Sequence, residues 1–255
     1  MNALLEIARL SFAEAIRNRI SYGLLAFVTL LLLASATLAS VTMGRTELMI
    51  IDLGLGAISI MANLMAIIFT IQTLQQEREG RTLYVLLTRL QSRWHYIGGK
   101  YLGLCAVLGL QVVIMCLLLG GLAAIFGTFH WLSLMQATAA TVLEVWLVTA
   151  IAVIFAQTSS LFLALLLTLS VDIAGRFTTV IHNLGTQSNN PTLRHLTEVI
   201  YYLLPNLERV NLRNGAGYIE SFSWMQITTA TAYACSEIAL LIMVAIWIFQ
   251  RRNLA

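Results

Sequence analysis

The sequence has two prolines, three cysteines and a single lysine, and charged residues make up only 11% of its 255 positions. Each shortage excludes something. Ordinary soluble domains carry about 25% charged residues, and a mean hydropathy of +0.83 places this chain outside that class. Both prolines, Pro191 and Pro205, fall in one polar interval, so no long apolar run contains a Pro break. Cys105, Cys116 and Cys235 stand inside apolar runs without paired spacing. That favours small packing residues over disulfides or metal ligands. No G-x-x-x-x-G-K-[ST] is present: Gly99-Lys100 has Trp94 in place of the first Gly and Tyr101 in place of Ser or Thr, so the chain does not cradle a nucleotide phosphate in that way. H-E-x-x-H is missing too. His95, His130, His182 and His195 lie in three separate loops without helical metal-ligand spacing, and none lies deep in an apolar run where a Ser/His pair could work within a membrane. No catalytic residue, metal site or bound cofactor is expected of this chain.

What is present is a series of apolar runs. A helix crosses the ~30 Å hydrocarbon core of a bilayer with roughly 20 residues. Six runs reach that length, at 20–42, 50–70, 101–127, 134–156, 161–181 and 226–249, and together they occupy more than half of the chain. Little remains for a soluble catalytic domain. The expected fold is therefore all-α, a single polytopic membrane domain over 1–255 with six transmembrane helices.

Basic residues are distributed unevenly around these runs. Arg9, Arg17 and Arg19 precede the first, Arg78, Arg81, Arg89, Arg93 and Lys100 lie between the second and third, and Arg251 and Arg252 follow the sixth. The loop after the first run has only Arg45, and the loop after the third has no Lys or Arg. The positive-inside rule then puts both termini and the second loop in the cytoplasm. The interval 182–225 lies outside; its Arg194, Arg209 and Arg213 count for less because the loop is long. "ASATLAS" at 34–40 resembles a signal-peptidase site, but the apolar run before it is too long for a signal peptide, so the first span is expected to be retained.

Three stretches between the spans have structure of their own. In residues 1–19, Leu4, Leu5, Ala8, Phe12, Ala15 and Ile16 recur at helical spacing, with Glu6, Arg9, Arg17 and Arg19 mostly on the other side. That is the pattern of an amphipathic helix lying on the inner membrane surface. "AQTSS" at 156–160 leaves room only for a tight hairpin between the fourth and fifth spans. In the outer interval, "PTLRHLTEVIYYLL" starts at Pro191 and stops before Pro205, with Leu193, Leu196, Val199, Ile200, Leu203 and Leu204 on one face. It predicts a short interfacial or re-entrant helix.

The remaining stretch is the cytoplasmic segment 71–100. Residues 73–90 read as a helix interrupted at Gly80, polar through Gln75, Gln76, Glu77, Arg78, Glu79 and Arg81 and apolar through Leu83, Val85, Leu86, Leu87 and Leu90. Trp94 and Tyr96 would anchor the return to the membrane. Most charge runs are solvated loops. This one is longer than a linker needs to be, structured, and mixed in sign, which suits docking of a cytoplasmic partner.

"EREGRTLYVLLTRLQSRWHYIGGKYLG" (77–103) resembles the loop between the second and third spans of ABC transporter permeases of the type-2 export family. There an acidic residue followed by Gly-Thr-Leu, a Leu-Leu pair and a Ser-Arg…Gly-Lys ending form the coupling segment. "LLPNLERVNLR" (203–213) is similar to the small prokaryotic members. Two departures concern the geometry after the coupling helix: Arg81 sits between Gly80 and Thr82, and Leu90 stands where the family often has Pro. The resemblance implies a permease without its own ATPase, working as a homodimer or with a related permease, in a bacterial inner membrane. Two copies of a separate ATP-binding subunit, carrying ATP and magnesium, would dock on it; membrane lipid and an extracytoplasmic accessory protein are further partners, and nucleic acid is not. It further implies that Glu77, Glu79, Gly80, Arg81, Thr82, Leu83, Leu86, Arg93 and Lys100 belong to the coupling positions. A secondary transporter and a non-transporting scaffold docking a cytoplasmic protein are the rival readings. The first would call for inverted repeats and broken spans.

Four charges remain inside the spans: Glu144 in the fourth, Asp172 and Arg176 in the fifth, and Glu237 in the sixth. A charge at a helix centre costs about 2.5–3.5 kcal/mol on insertion scales, so they are candidates for a translocation path or gate. Asp172 and Arg176, four apart, can neutralise each other. Glu144 would have to be protonated, paired across helices, or facing a cavity. Asn63 reads as interhelical hydrogen-bond glue, and Gly54, Gly56, Gly103, Gly109, Gly120 and Gly121 as sites of close helix contact, within the bundle or at a dimer seam. The mostly aliphatic spans favour an amphipathic or lipid-linked cargo.

Overall fold

The computed structural model describes residues 8–10, 12, 26–30, 46–79, 93–187, 191–216 and 221–251. Among the described residues the chain is helical, with no strand. Five helices are long and apolar enough to cross a membrane. They are α1 (Thr46–Glu79), α2 (Arg93–Phe126), α3 (Trp131–Thr158), α4 (Leu161–Gln187) and, after a short α5 (Pro191–Leu203), α6 (Trp224–Arg251). Two 3₁₀ turns, Leu207–Val210 and Arg213–Gly215, lie between α5 and α6. Of the first expected span, only 26–30 is described, and it is helical, with Phe27 fully buried. Of the expected N-terminal surface helix only 8–10 and 12 are described, and they are helical; the middle of the coupling segment, including Gly80, Arg81, Thr82, Leu83 and Leu86, lies outside the described residues.

The helices run past the apolar stretches that announce them. α1 and α2 have 34 residues each, about 51 Å at 1.5 Å per residue, against a hydrocarbon core of ~30 Å. The polar run through Gln75–Glu79 is thus a continuation of a membrane helix. The return from Arg93 onward is helical too, through to Phe126. α3 and α4 are joined by Ser159 and Ser160 alone.

α3 is the most enclosed helix of the bundle and α6 the least. One core cluster packs Ile51, Leu55 and Ile58 of α1 against Leu108, Met115 and Leu119 of α2, with Val145 of α3. The other, toward the end that carries 80–92, gathers Ile67, Ile71, Tyr96, Leu147, Ile151 and Phe249. In a bilayer such contacts gain little from water exclusion; close packing and polar contacts between helices do the work. Gly54 shows this directly, because a Cβ there would lie 2.2 Å from Leu119 Cδ1. Gly120 is tight against Trp131, whereas Gly56 and Gly121 face open space. The large apolar side chains left exposed on α4 and α6, such as Phe162, Phe177 and Trp247, are what lipid contact requires.

The chain between α5 and α6 does not stay at the end of the bundle. Leu207 and Val210 are buried to within 1%, and the 3₁₀ turns pack on α4, α6, α3 and α1. Gly175, in the middle of α4, admits this segment: a Cβ there would meet the Pro205 carbonyl oxygen at 2.7 Å. The obstruction is backbone and cannot swing away. Gly175→Ala is expected to cost about 1–3 kcal/mol, the range for overpacking a filled interior, while Gly56→Ala costs nothing measurable. Unfolding of the two purified variants in mixed micelles against denaturing detergent checks this; equal stabilities would contradict the packing.

Candidate functional site

Glu144 lies halfway along α3 and is 1% exposed. An isolated carboxylate at that depth would be strongly unfavourable, and four neighbours prevent its isolation. The Asn63 amide of α1 donates to Oε1 at 2.9 Å, and the Ser59 hydroxyl one turn earlier lies 3.3 and 3.4 Å from the two carboxylate oxygens. Arg176 of α4 brings Nη2 to 2.7 Å of Oε1, and Arg213, from the segment after α5, brings Nη2 to 3.4 Å of Oε2. Arg176 also reaches Asp172 through Nε at 3.3 Å. Two carboxylates and two guanidiniums thus share one site, formally neutral when all are ionised. Low local polarity strengthens each of these contacts.

Each partner is held by its own surroundings. Ser59 and Asn63 are four apart and so present one face of α1. Asp172 and Arg176 do the same on α4, as their spacing predicts. Arg213 is aimed by Asn211, whose Oδ1 accepts from Arg213 N at 3.1 Å and from its Nε at 2.9 Å. Farther back, the Asn206 N–H donates to the Tyr233 hydroxyl on α6 at 2.7 Å, and the Asn206 amide donates to Thr179 on α4 at 3.1 Å. Asn206 Oδ1 accepts from Arg209 N, capping the first 3₁₀ turn. "PNLERVNLR" is therefore a wedge, with Pro205 against Gly175, Leu207 and Val210 buried, and Arg213 at its tip on Glu144.

A second polar cluster closes the end of the bundle beside residues 80–92. Glu77 of α1 forms an ion pair with Lys100 of α2 and accepts a hydrogen bond from Tyr96, whose ring stacks on Phe249 of α6 at 5.7 Å between centroids. Gln75 donates to the Ala156 carbonyl at 3.1 Å and the Ser159 carbonyl at 2.8 Å, and Arg78 donates to the Gln157 carbonyl. The last carbonyls of a helix lack partners within it and attract positive charge. The end of α1 supplies both needs to α3.

The expected path residues thus divide. Glu144, Asp172 and Arg176 come together, while Glu237 on α6 is not part of their cluster. Among the expected coupling residues, Glu77 and Lys100 are joined to each other, Glu79 ends α1 and Arg93 begins α2. Ser59, Asn211 and Arg213 were not singled out from sequence. Their signal lay in the 203–213 motif and in the Ser59–Asn63 spacing.

The family model described as an ABC-2 family transporter protein matches residues 5–254. The chain belongs to that family. It is a multi-pass membrane protein of the ABC-2 transporter family, a transport subunit by membership. No curated protein matches the chain closely enough to add a relative.

Removing one member of a buried ion pair strands the other, at a cost of about 3–5 kcal/mol, whereas removing both costs far less. Glu144→Gln is accordingly expected to destabilise the ABC-2 protein by that amount. Glu144→Gln/Arg176→Gln should be less destabilised than the two single changes added together. A double-mutant cycle on unfolding in detergent reads the difference, and strict additivity would contradict direct pairing.

Proposed function

We propose that this chain is the permease subunit of an ATP-driven ABC exporter, taking its energy from a separate ATP-binding subunit that docks on 71–100. The observation that carries the reading is the construction of the α1 end. Gln75, Glu77 and Arg78, in the first part of that segment, are bound to α2 and α3, so a push on the rest of it reaches the body of the bundle. Glu79, Gly80, Arg81, Thr82, Leu83 and Leu86 are the docking positions that the family resemblance implies. Glu77 and Lys100 pass its movement inward, and Arg93 starts the return helix. ATP and magnesium reside on the partner, two copies of which serve a pair of permeases. The arginine distribution favours cytoplasmic termini and an inner-membrane location, with the α5–α6 segment on the outer side.

The cargo reading is an amphipathic or lipid-linked molecule. Two adjoining grooves on α3, of about 530 and 680 Å³, support it. They share Met135, Ala139, Leu143 and Thr231, and polar groups are concentrated at one end, at Gln136, Ser221 and Ser223.

Co-purification from the native host separates docking from transmission. Glu79→Arg is expected to lose the associated ATPase. Glu77→Gln should keep the ATPase bound but lower cargo-stimulated hydrolysis, by roughly tenfold for a loss of about 1.4 kcal/mol in transmission through the partly exposed Glu77–Lys100 pair. If no ATP-hydrolysing subunit comes down with the unaltered chain, the exporter reading fails.

A further inference from the structure

Among the described residues, the wedge at 204–216 meets the membrane helices through apolar packing, hydrogen bonds from Asn206, the Arg209 guanidinium over the Tyr233 ring of α6 at 5.3 Å, and one ion pair, Arg213 on Glu144. That carboxylate is already shared. Arg176 holds it at 2.7 Å and Arg213 at 3.4 Å, so Arg213 makes the longer contact; both guanidiniums keep some access to solvent, 24% and 12% exposed against 1% for Glu144. Arg176 has a second acid, Asp172, to fall back on. Meanwhile α1 is tied to α3 twice: at mid-height by Ser59 and Asn63 on Glu144, and at the end by Gln75 and Arg78 on the last carbonyls of α3. Helices joined at two levels about 20 Å apart along their axes (some 14 residues at 1.5 Å each) move together.

We propose that Arg213 is a latch holding the 204–216 wedge inside the bundle, that Glu144 is its catch, and that movement of the α1–α3 pair opens it. The proposal rests on the coupling reading for its driving force but not for the latch itself. Sliding α3 against α4 by an ångström or so redistributes one carboxylate between two guanidiniums. Closely packed, charge-paired elements respond to such a shift by switching between arrangements. Arg213 loses its counter-ion and gains hydration, the wedge withdraws, and the middle of the bundle opens toward the outer side. Asn211 is a positioning residue, since its carbonyl oxygen holds the guanidinium in line with Glu144.

The test uses permease and ATP-binding subunit reconstituted together in proteoliposomes, with Val210→Cys as the reporter because Val210 is wholly buried in the wedge. A membrane-impermeant maleimide is applied on the side of the α5–α6 segment, and labelling at residue 210 is read by mass spectrometry, which keeps the native cysteines out of the count. Without nucleotide, labelling should be slow; Arg213→Gln should speed it roughly tenfold or more, as loss of a buried ion pair implies. Arg213→Lys should largely restore slow labelling, and Asn211→Ala, which leaves both charges in place, should give a smaller rise. Labelling of Arg213→Gln at the parent rate overturns the latch; if that variant fails to accumulate, an unchanged rate in Asn211→Ala does so. The nucleotide-free arms do not depend on the ATPase. A latch that opens on mutation but not during ATP turnover would sink the coupling reading alone, and a response to ATP with no effect of Arg213→Gln would sink the latch alone.

Discussion

A carboxylate in the middle of a membrane bundle has to be neutralised, and the arrangement of this protein follows from how Glu144 is. Four partners from three different elements make Glu144 a junction: Ser59 and Asn63 from α1, Arg176 from α4, Arg213 from the wedge. The other local features serve that convergence. Gly175 stands beside Arg176 so that the wedge backbone can pass, and Asn206 pins the wedge to α4 and α6.

The far end of the bundle uses the same economy of chemistry. A helix C-terminus exposes carbonyls and partial negative charge, and α1 answers with an amide and a guanidinium. Glu77 in turn takes Lys100 and Tyr96, so α1, α2, α3 and, through the Tyr96–Phe249 stack, α6 meet beside the coupling segment. The two polar clusters are joined by α1 and α3, with Thr70 and Thr149 buried along the stretch between them. On the proposed coupling, movement between them is carried by whole helices.

Much of this fold was legible in composition and periodicity. The apolar runs mark α1 to α4 and α6, Pro191 and the apolar face that follows mark α5, and the four-residue spacing of Asp172 and Arg176 predicts their contact. Interhelical partners are another matter, because they depend on the register between helices distant in sequence. Glu144 has no local partner and could be read three ways; only packing showed it paired. Arg213 was discounted as a loop charge, although its loop folds back to the level of the helix centres. Glu77 reads as a docking residue from its motif, yet it is bound to Lys100, 23 positions away. The remaining coupling positions, 80–92, lie outside the described residues.

The most direct measurement of the α1–α3 relay is a distance between spin labels at Gln76 and Glu208, both exposed, one at the coupling end of α1 and one on the wedge. Recorded in the assembled transporter with and without a trapped nucleotide, that distance is predicted to change on nucleotide binding, and to lose its nucleotide dependence when Glu144 is replaced by Gln. A distance indifferent to nucleotide, or a response identical in Glu144→Gln, would contradict transmission through Glu144 and leave the charge cluster as a static tie between helices.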